Sequence, residues 1–367
     1  MGILVRWVGR WPEWSGYAAA AWSLGYGLLG FFWSMGGDGF PFEPIDMAHV
    51  SGSVLEGSRT EIVAPIMAVC GALGTLAGLA MARGAGNGRG AKALVLFGWS
   101  MAVVLALVVP DYFLLALVAF APLLLVFAFT GVPGPQDGLG DIVYWHRTNL
   151  VIMFVGGLLW AAATLSYQRK ARKCCPHCGR GGGPGARPSR AASRRWGEWA
   201  VVVACLAPLP YEVTRIAWYL GYPLGITDDF LRMMRDTPGM LEVGLGAAVA
   251  SALGGVLTHG LVRRWGEIYP RWIWWKAGRP VPPALAVVPA SVVSVVLVPA
   301  GMMNLRMEVS RDMWALNAPG ILYLVWGVAL GAATIAYHLR RRGTCRRCGR
   351  GTTIVREAVR VAGPPAA

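Results

Sequence analysis

Long apolar stretches separated by short polar ones dominate the chain. The apolar runs extend over Trp14–Met35, Ile62–Ala82, Ala93–Val109, Tyr112–Thr130 and Leu150–Tyr167, then over Glu198–Tyr219, Leu241–Val262, Pro282–Asn304 and Gly320–His338. Each is close to the ~20 residues a helix needs to cross the hydrocarbon core of a bilayer. A segment facing lipid must satisfy its own backbone hydrogen bonds, so these runs predict helices. The pattern therefore predicts an all-α, polytopic helical membrane protein with about nine transmembrane helices.

The polar stretches between them differ in sign. From Arg169 to Trp196 the chain carries Arg169, Lys170, Arg172, Lys173, Arg180, Arg187, Arg190, Arg194 and Arg195, and no acid. Such loops stay in the cytoplasm, and the multi-pass membrane expected to hold the chain is the cell membrane. The Gly-Gly-Gly-Pro-Gly run from Gly181 reads as a flexible linker. The loop after the first run holds Asp38, Glu43, Asp46, Glu56 and Glu61 against Arg59, and the loop after the sixth holds Asp228, Asp229, Asp236 and Glu242 against Arg232 and Arg235. Both are expected on the outer face. Trp272, Trp274 and Trp275, with Arg271 and Lys276, read as a plain amphipathic loop, with an interfacial segment whose indoles anchor at headgroup depth as the alternative.

Several motifs recur in the same order. Ala161-Ala-Ala-Thr-Leu-Ser-Tyr167 matches Gly331-Ala-Ala-Thr-Ile-Ala-Tyr337, and the register continues without a gap from Cys175-Pro-His-Cys178-Gly-Arg180 to Cys345-Arg-Arg-Cys348-Gly-Arg350. Ala72-Leu-Gly74 with Arg83 pairs with Ala252-Leu-Gly254 with Arg263, and Trp33-Ser-Met-Gly36 with Trp218-Tyr-Leu-Gly221. This is the mark of a tandem duplication. The expected organisation is a first membrane repeat over 1–180, a basic linker over 181–196, a second repeat over 197–350 and a tail over 351–367. Four runs separate the two Cys-x-x-Cys knuckles, so both face one side and the repeats are parallel. Parity is unresolved: nine crossings, the preferred count, put the amino terminus outside, whereas Arg6, Arg10 and the basic loop from Arg83 to Lys92 favour it inside.

Composition narrows the class without changing it. Of 367 residues, 55% are hydrophobic and 14% charged, against roughly 25% charged in soluble domains. The mean hydropathy is +0.49. The formal net charge of +15 sits in loops and tail, which suits anionic lipid headgroups and makes nucleic acid an unexpected partner. The first run is followed by no small-residue cleavage site and is expected to be retained. Arg6 stands where a myristoylation signal has Ser or Thr.

The chain resembles a group of uncharacterised multipass membrane proteins of high-GC actinobacteria. The resemblance rests on Trp22-Ser-Leu-Gly with Gly36-Gly37, on the nine residues from Arg264 to Trp272, on the Pro-rich run from Val281 to Ala290, and on the knuckles. It implies placement in the membrane and brings no activity with it.

Four of the seven cysteines, Cys175, Cys178, Cys345 and Cys348, form the two knuckles. Two such pairs can supply the four thiolates of a tetrahedral zinc site. Four protein ligands leave no open position, so the expected zinc is structural, clipping the ends of the halves together. Redox pairs are the alternative, disfavoured beside cytoplasmic basic loops. Cys174, beside the first knuckle, is a competing ligand that four others make unnecessary, and Cys70 and Cys205, inside apolar runs, read as packing residues.

Ionisable residues within apolar runs are functional candidates. Glu212 and Arg215, three apart on one helical face, are the leading pair for a substrate path, with an internal ion pair as the structural alternative. His259 and Asp111 are weaker candidates. Gly71, Gly74 and Gly78, and again Gly244, Gly246, Gly254 and Gly255, predict close helix packing. The reading favours a transporter or permease for a small or lipidic solute. A scaffold recruiting a cytoplasmic partner, and a membrane enzyme acting on a lipid or isoprenoid through Asp38, Glu43, Asp228 and Asp229, are the alternatives. No nucleotide-binding loop, zinc-protease helix or nucleophile elbow is present, so an enzyme is the less favoured class.

Overall fold

The computed structural model describes residues 9–43, 52–121, 144–181 and 190–351. Among these the secondary structure is helical, with one isolated antiparallel bridge between Ile268 and Pro280. The first half contains α1 (Trp11–Ser34), α2 (Thr60–Arg83), α3 (Arg89–Val103, prolonged by a π-helical turn Val104–Val108), α4 (Phe113–Ala119) and α5 (Trp145–Ala171). The second contains α6 (Arg190–Leu206), α7 (Leu209–Tyr219), α8 (Asp228–Asp236), α9 (Met240–His259), α10 (Pro283–Arg306) and α11 (Trp314–Arg341).

Among the described residues, seven helical stretches are long and apolar enough to cross a membrane: α2, α3 with its π turn, α5, α6 continued into α7, α9, α10 and α11. The chain is thus a membrane protein of helical type. Pro208 and Pro210 mark the junction of α6 with α7, where proline removes a backbone donor and breaks the ladder. At 24 residues, α1 is as long as α2. Trp, Tyr, Ser and Gly replace much of its aliphatic content, which keeps it outside the apolar set.

The small residues of α1 explain its place. It lies antiparallel against α2, with Gly16 on Ala82, Gly78 on Ala20, Gly27 on Gly71 and Gly30 on Ala64 and Ala68. A methyl group on Gly27 would lie 3.1 Å from Gly71 Cα, and one on Gly78 would lie 2.9 Å from Ala20 N. Such backbone approach replaces the hydrophobic drive that lipid cannot supply. Trp160 of α5 is fully buried beside this pair, donates to Ser23 Oγ at 3.1 Å and meets Phe97 edge-on. Tyr26 donates to Asn149 Oδ1 at 2.6 Å.

The second glycine set behaves otherwise. Gly246, Gly254 and Gly255 of α9 have no neighbour within methyl reach, and Gly244 meets only Arg215 Cδ at 3.8 Å. The predicted packing at these four positions is absent among the described residues. α9 turns most of its surface outward instead.

Hydrogen bonds fix which ends coincide. Ser166 Oγ and Lys170 Nζ near the end of α5 both donate to Pro12 O at the start of α1. The amino end of α1 therefore lies at the same end of the bundle as the cysteines that follow α5. At the opposite end, Trp145 Nε1 donates to Gly39 O, Ser53 Oγ donates to Val109 O, and the Arg147 guanidinium lies 5.0 Å from the Phe113 ring. The path from α1 to the end of α5 thus makes an even number of passes. The preferred nine crossings require an odd number there. The fourth predicted run, Tyr112–Thr130, is described only through Ala121, and its remainder lies outside the described residues.

The second half has its own core of Val201, Leu261, Leu297, Leu330 and Tyr337, against which Leu115 of α4 packs. The halves also meet through α10 against the π turn of α3 and α4. At the far end Arg306 donates to Gly52 O at 2.9 Å.

Candidate metal centre

Each knuckle follows the last turn of a long helix and folds the same way. In the first, Gly179 N donates to Cys175 O at 2.8 Å and Cys175 N to Arg180 O at 3.0 Å. In the second, Gly349 N donates to Cys345 O at 2.8 Å and Cys345 N to Arg350 O at 3.0 Å. Gly179 and Gly349 have φ of 68° and 66°, the left-handed region that glycine enters without strain. The turn leaves backbone amides facing the first sulfur of each pair.

The two turns bring Cys175, Cys178, Cys345 and Cys348 together, with all four sulfurs within 4.8 Å of one another. Cys178 Sγ and Cys348 Sγ are 3.6 Å apart. A disulfide requires about 2.05 Å. Four zinc–sulfur bonds of about 2.3 Å in a tetrahedron place the sulfurs about 3.8 Å apart. These four side chains can hold a metal ion, and their spacing suits a tetrahedral one.

Arginines hold the knuckles on each other. Arg180 is buried and donates to Gly343 O at 2.8 Å, to Arg342 O at 3.2 Å and to Arg350 O. Arg350 returns a bond to Arg180 O at 3.1 Å, and Arg342 donates to Cys178 O at 3.3 Å. Arg169 donates to Pro176 O and His177 O at 2.8 and 3.0 Å. The Arg that ends each Cys-Gly-Arg motif, Arg180 and Arg350, thus forms the clamp, a role that the motif alone does not reveal.

The thiols titrate unequally. Backbone N–H groups of Cys348 and Arg347 bring Cys345 down to about 7. Burial opposes ionisation of Cys175, but the amides of Cys178 and His177 outweigh it and leave that thiol below its ordinary range. Burial, with the neighbouring sulfurs, pushes Cys178 up to about 12. Burial of Cys178 thus opposes its ionisation, and a bound cation would favour the thiolate form. Beside the cluster opens a cleft of about 480 Å³ whose lining includes Lys170, Lys173, Cys174, His177, Arg347 and Arg350. These cations would offset the net negative charge of four thiolates around a divalent ion.

The other candidates are not gathered into one place. Glu212 is buried and accepts from Ser251 Oγ at 2.7 Å, which joins α7 to α9. Arg215 lies 4.5 Å and 4.1 Å from the Tyr211 and Trp218 ring centroids and donates to Ala315 O at 3.1 Å. No ion pair links the two among the described residues, so the sequence-level pairing is replaced by separate partners. His259 Nδ1 lies 3.2 Å from Gly255 O and 3.5 Å from Cys205 Sγ, near the cysteine end. Asp111 is fully buried at the opposite end, where its Oδ1 accepts from Phe113 N at 2.8 Å. Asp228 and Asp229 open α8 behind the Thr227 cap, and Asp229 pairs with Arg232. That arrangement serves the helix terminus. The chain matches no family model, no curated protein and no solved structure.

Proposed function

We propose that this membrane protein is built from two duplicated halves whose ends are tied at the cytoplasmic face by one structural zinc ion on Cys175, Cys178, Cys345 and Cys348. The observation that carries the reading is the convergence of four sulfurs, two from each half. The clustered Arg and Lys support the cytoplasmic assignment. The duplication draws support from matching bonds in the two halves: Tyr167 donates to Ala85 O at 2.6 Å and Tyr337 to Gly266 O at 2.7 Å. Each ties the last long helix of its half to the turn after the second helix of the alignment.

The zinc positions and does not react, because four protein ligands leave no site for water or substrate. Elemental analysis of the purified chain is expected to give one zinc per chain. Cys178→Ser and Cys345→Ser are each expected to bring this close to zero. Full zinc retention in both variants contradicts the assignment.

A permease for a small or lipidic solute is the further reading, and Glu212 supports it as a buried acid between α7 and α9 whose neighbour Ser251 is also buried. Solute flux in proteoliposomes is expected to fall at least ten-fold in Glu212→Gln. Flux equal to wild type removes Glu212 from any path.

A further inference from the structure

The second half encloses an apolar cavity of about 370 Å³ near the cysteine end, between α9, α10, α11 and the segment joining α9 to α10. That segment is a closed hairpin and not an open amphipathic loop. Tyr269 N donates to Arg279 O, Gly278 N to Tyr269 O and Val281 N to Glu267 O, at 3.0, 3.0 and 2.9 Å. Arg341 fixes its base by donating to Glu267 O and Val281 O. In the first half the corresponding connection is only residues 84–88, too short for such a hairpin.

The cavity wall includes Leu257, Trp265, Trp272, Leu285, Pro289 and Trp326. Leu257 and Leu285 are 66% and 59% exposed, so the cavity opens between α9 and α10 on the outer surface of the bundle. A solute entering there comes from the bilayer. The hairpin tip carries Trp272, Trp274 and Trp275, all exposed, as indoles are at headgroup depth. Between α9 and α10 the exposed cations are Arg263, Arg264, Arg271, Lys276 and Arg279, against the single acid Glu267, which Arg340 already approaches at 3.8 Å. Lys276 Nζ lies 5.5 Å from the ring of Tyr269, itself part of the wall.

We propose that the cavity takes an acyl chain of one anionic phospholipid drawn laterally from the bilayer, its phosphate held by Arg271, Lys276 and Arg279. The apolar wall selects the chain and the cationic hairpin selects the headgroup. The site is distinct from the cysteine cluster and does not depend on metal.

The test uses the full chain, delipidated in detergent, with phosphatidylglycerol or phosphatidylcholine added and retained lipid read by native mass spectrometry. One phosphatidylglycerol is expected per chain, preferred at least ten-fold. A photoreactive acyl chain on the same lipid is expected to label peptides within residues 257–293. Ala290→Phe, which fills the cavity, is expected to abolish retention. The combined Arg271→Gln, Lys276→Gln and Arg279→Gln variant changes only exposed positions, and is expected to lower phosphatidylglycerol retention at least five-fold while leaving phosphatidylcholine unchanged. Equal retention of the two lipids, labelling confined to other helices, or undiminished retention in the charge variant overturns the proposal.

Discussion

Cys178 and Cys345 lie one on each knuckle, and their environments push them in opposite directions. Amides lower Cys345 to about 7, whereas burial and adjacent sulfurs raise Cys178 to about 12. A group whose folded pKa is depressed stabilises the fold fully above its ordinary value and loses that contribution as pH falls through the folded one. For Cys345 the window runs from its ordinary 9.0 down to about 7. Protons and metal compete for the same sulfurs. Zinc retention against a fixed chelator is therefore expected to be high at about pH 8 and largely lost by about pH 5, as measured by a metal-sensitive dye. Retention independent of pH contradicts thiolate ligation. The knuckles were legible because Cys-x-x-Cys-Gly is a local pattern with a local turn. The fate of Glu212 and Arg215 was not. Three-residue spacing puts them on one face, but Tyr211 and Trp218 hold the guanidinium while Ser251, from another helix, takes the carboxylate.

Among the elements, length and apolarity located the long helices, because lipid imposes both at once. They could not say which glycine face meets a partner. Gly71, Gly74 and Gly78 lie within a seam against α1, while Gly246, Gly254 and Gly255 face open space. Spacing is the same kind of signal in both cases, and the difference is made by what packs alongside. Gly71→Leu is expected to destabilise by roughly 1–3 kcal/mol or more through overpacking, and Gly254→Leu to leave stability unchanged in the same thermal unfolding assay in detergent. Equal effects at both positions contradict the seam. The hairpin at Glu267–Val281 was equally hidden, since its closure depends on backbone pairs and on Arg341, about 60 residues away at its nearer contact.

For the whole molecule, the decisive contacts lie at the two ends. Pro12 with Ser166 and Lys170 joins the amino end of α1 to the cysteine end, and Arg306 with Gly52 bridges the halves at the other. Parity was out of reach of hydropathy, which counts apolar runs but does not say where a path turns back. The turn after α2 lies at the cysteine end as well, where Tyr167 donates to Ala85 O. A metal clip on the four sulfurs would limit how far the cysteine ends can separate, while α10 packs against the π turn of α3 and against α4 away from them. The most direct test of this arrangement is zinc K-edge X-ray absorption on the purified full chain. The account predicts a shell of four sulfurs at about 2.3 Å. A shell with oxygen or nitrogen ligands, or one with fewer than four sulfurs, would contradict it.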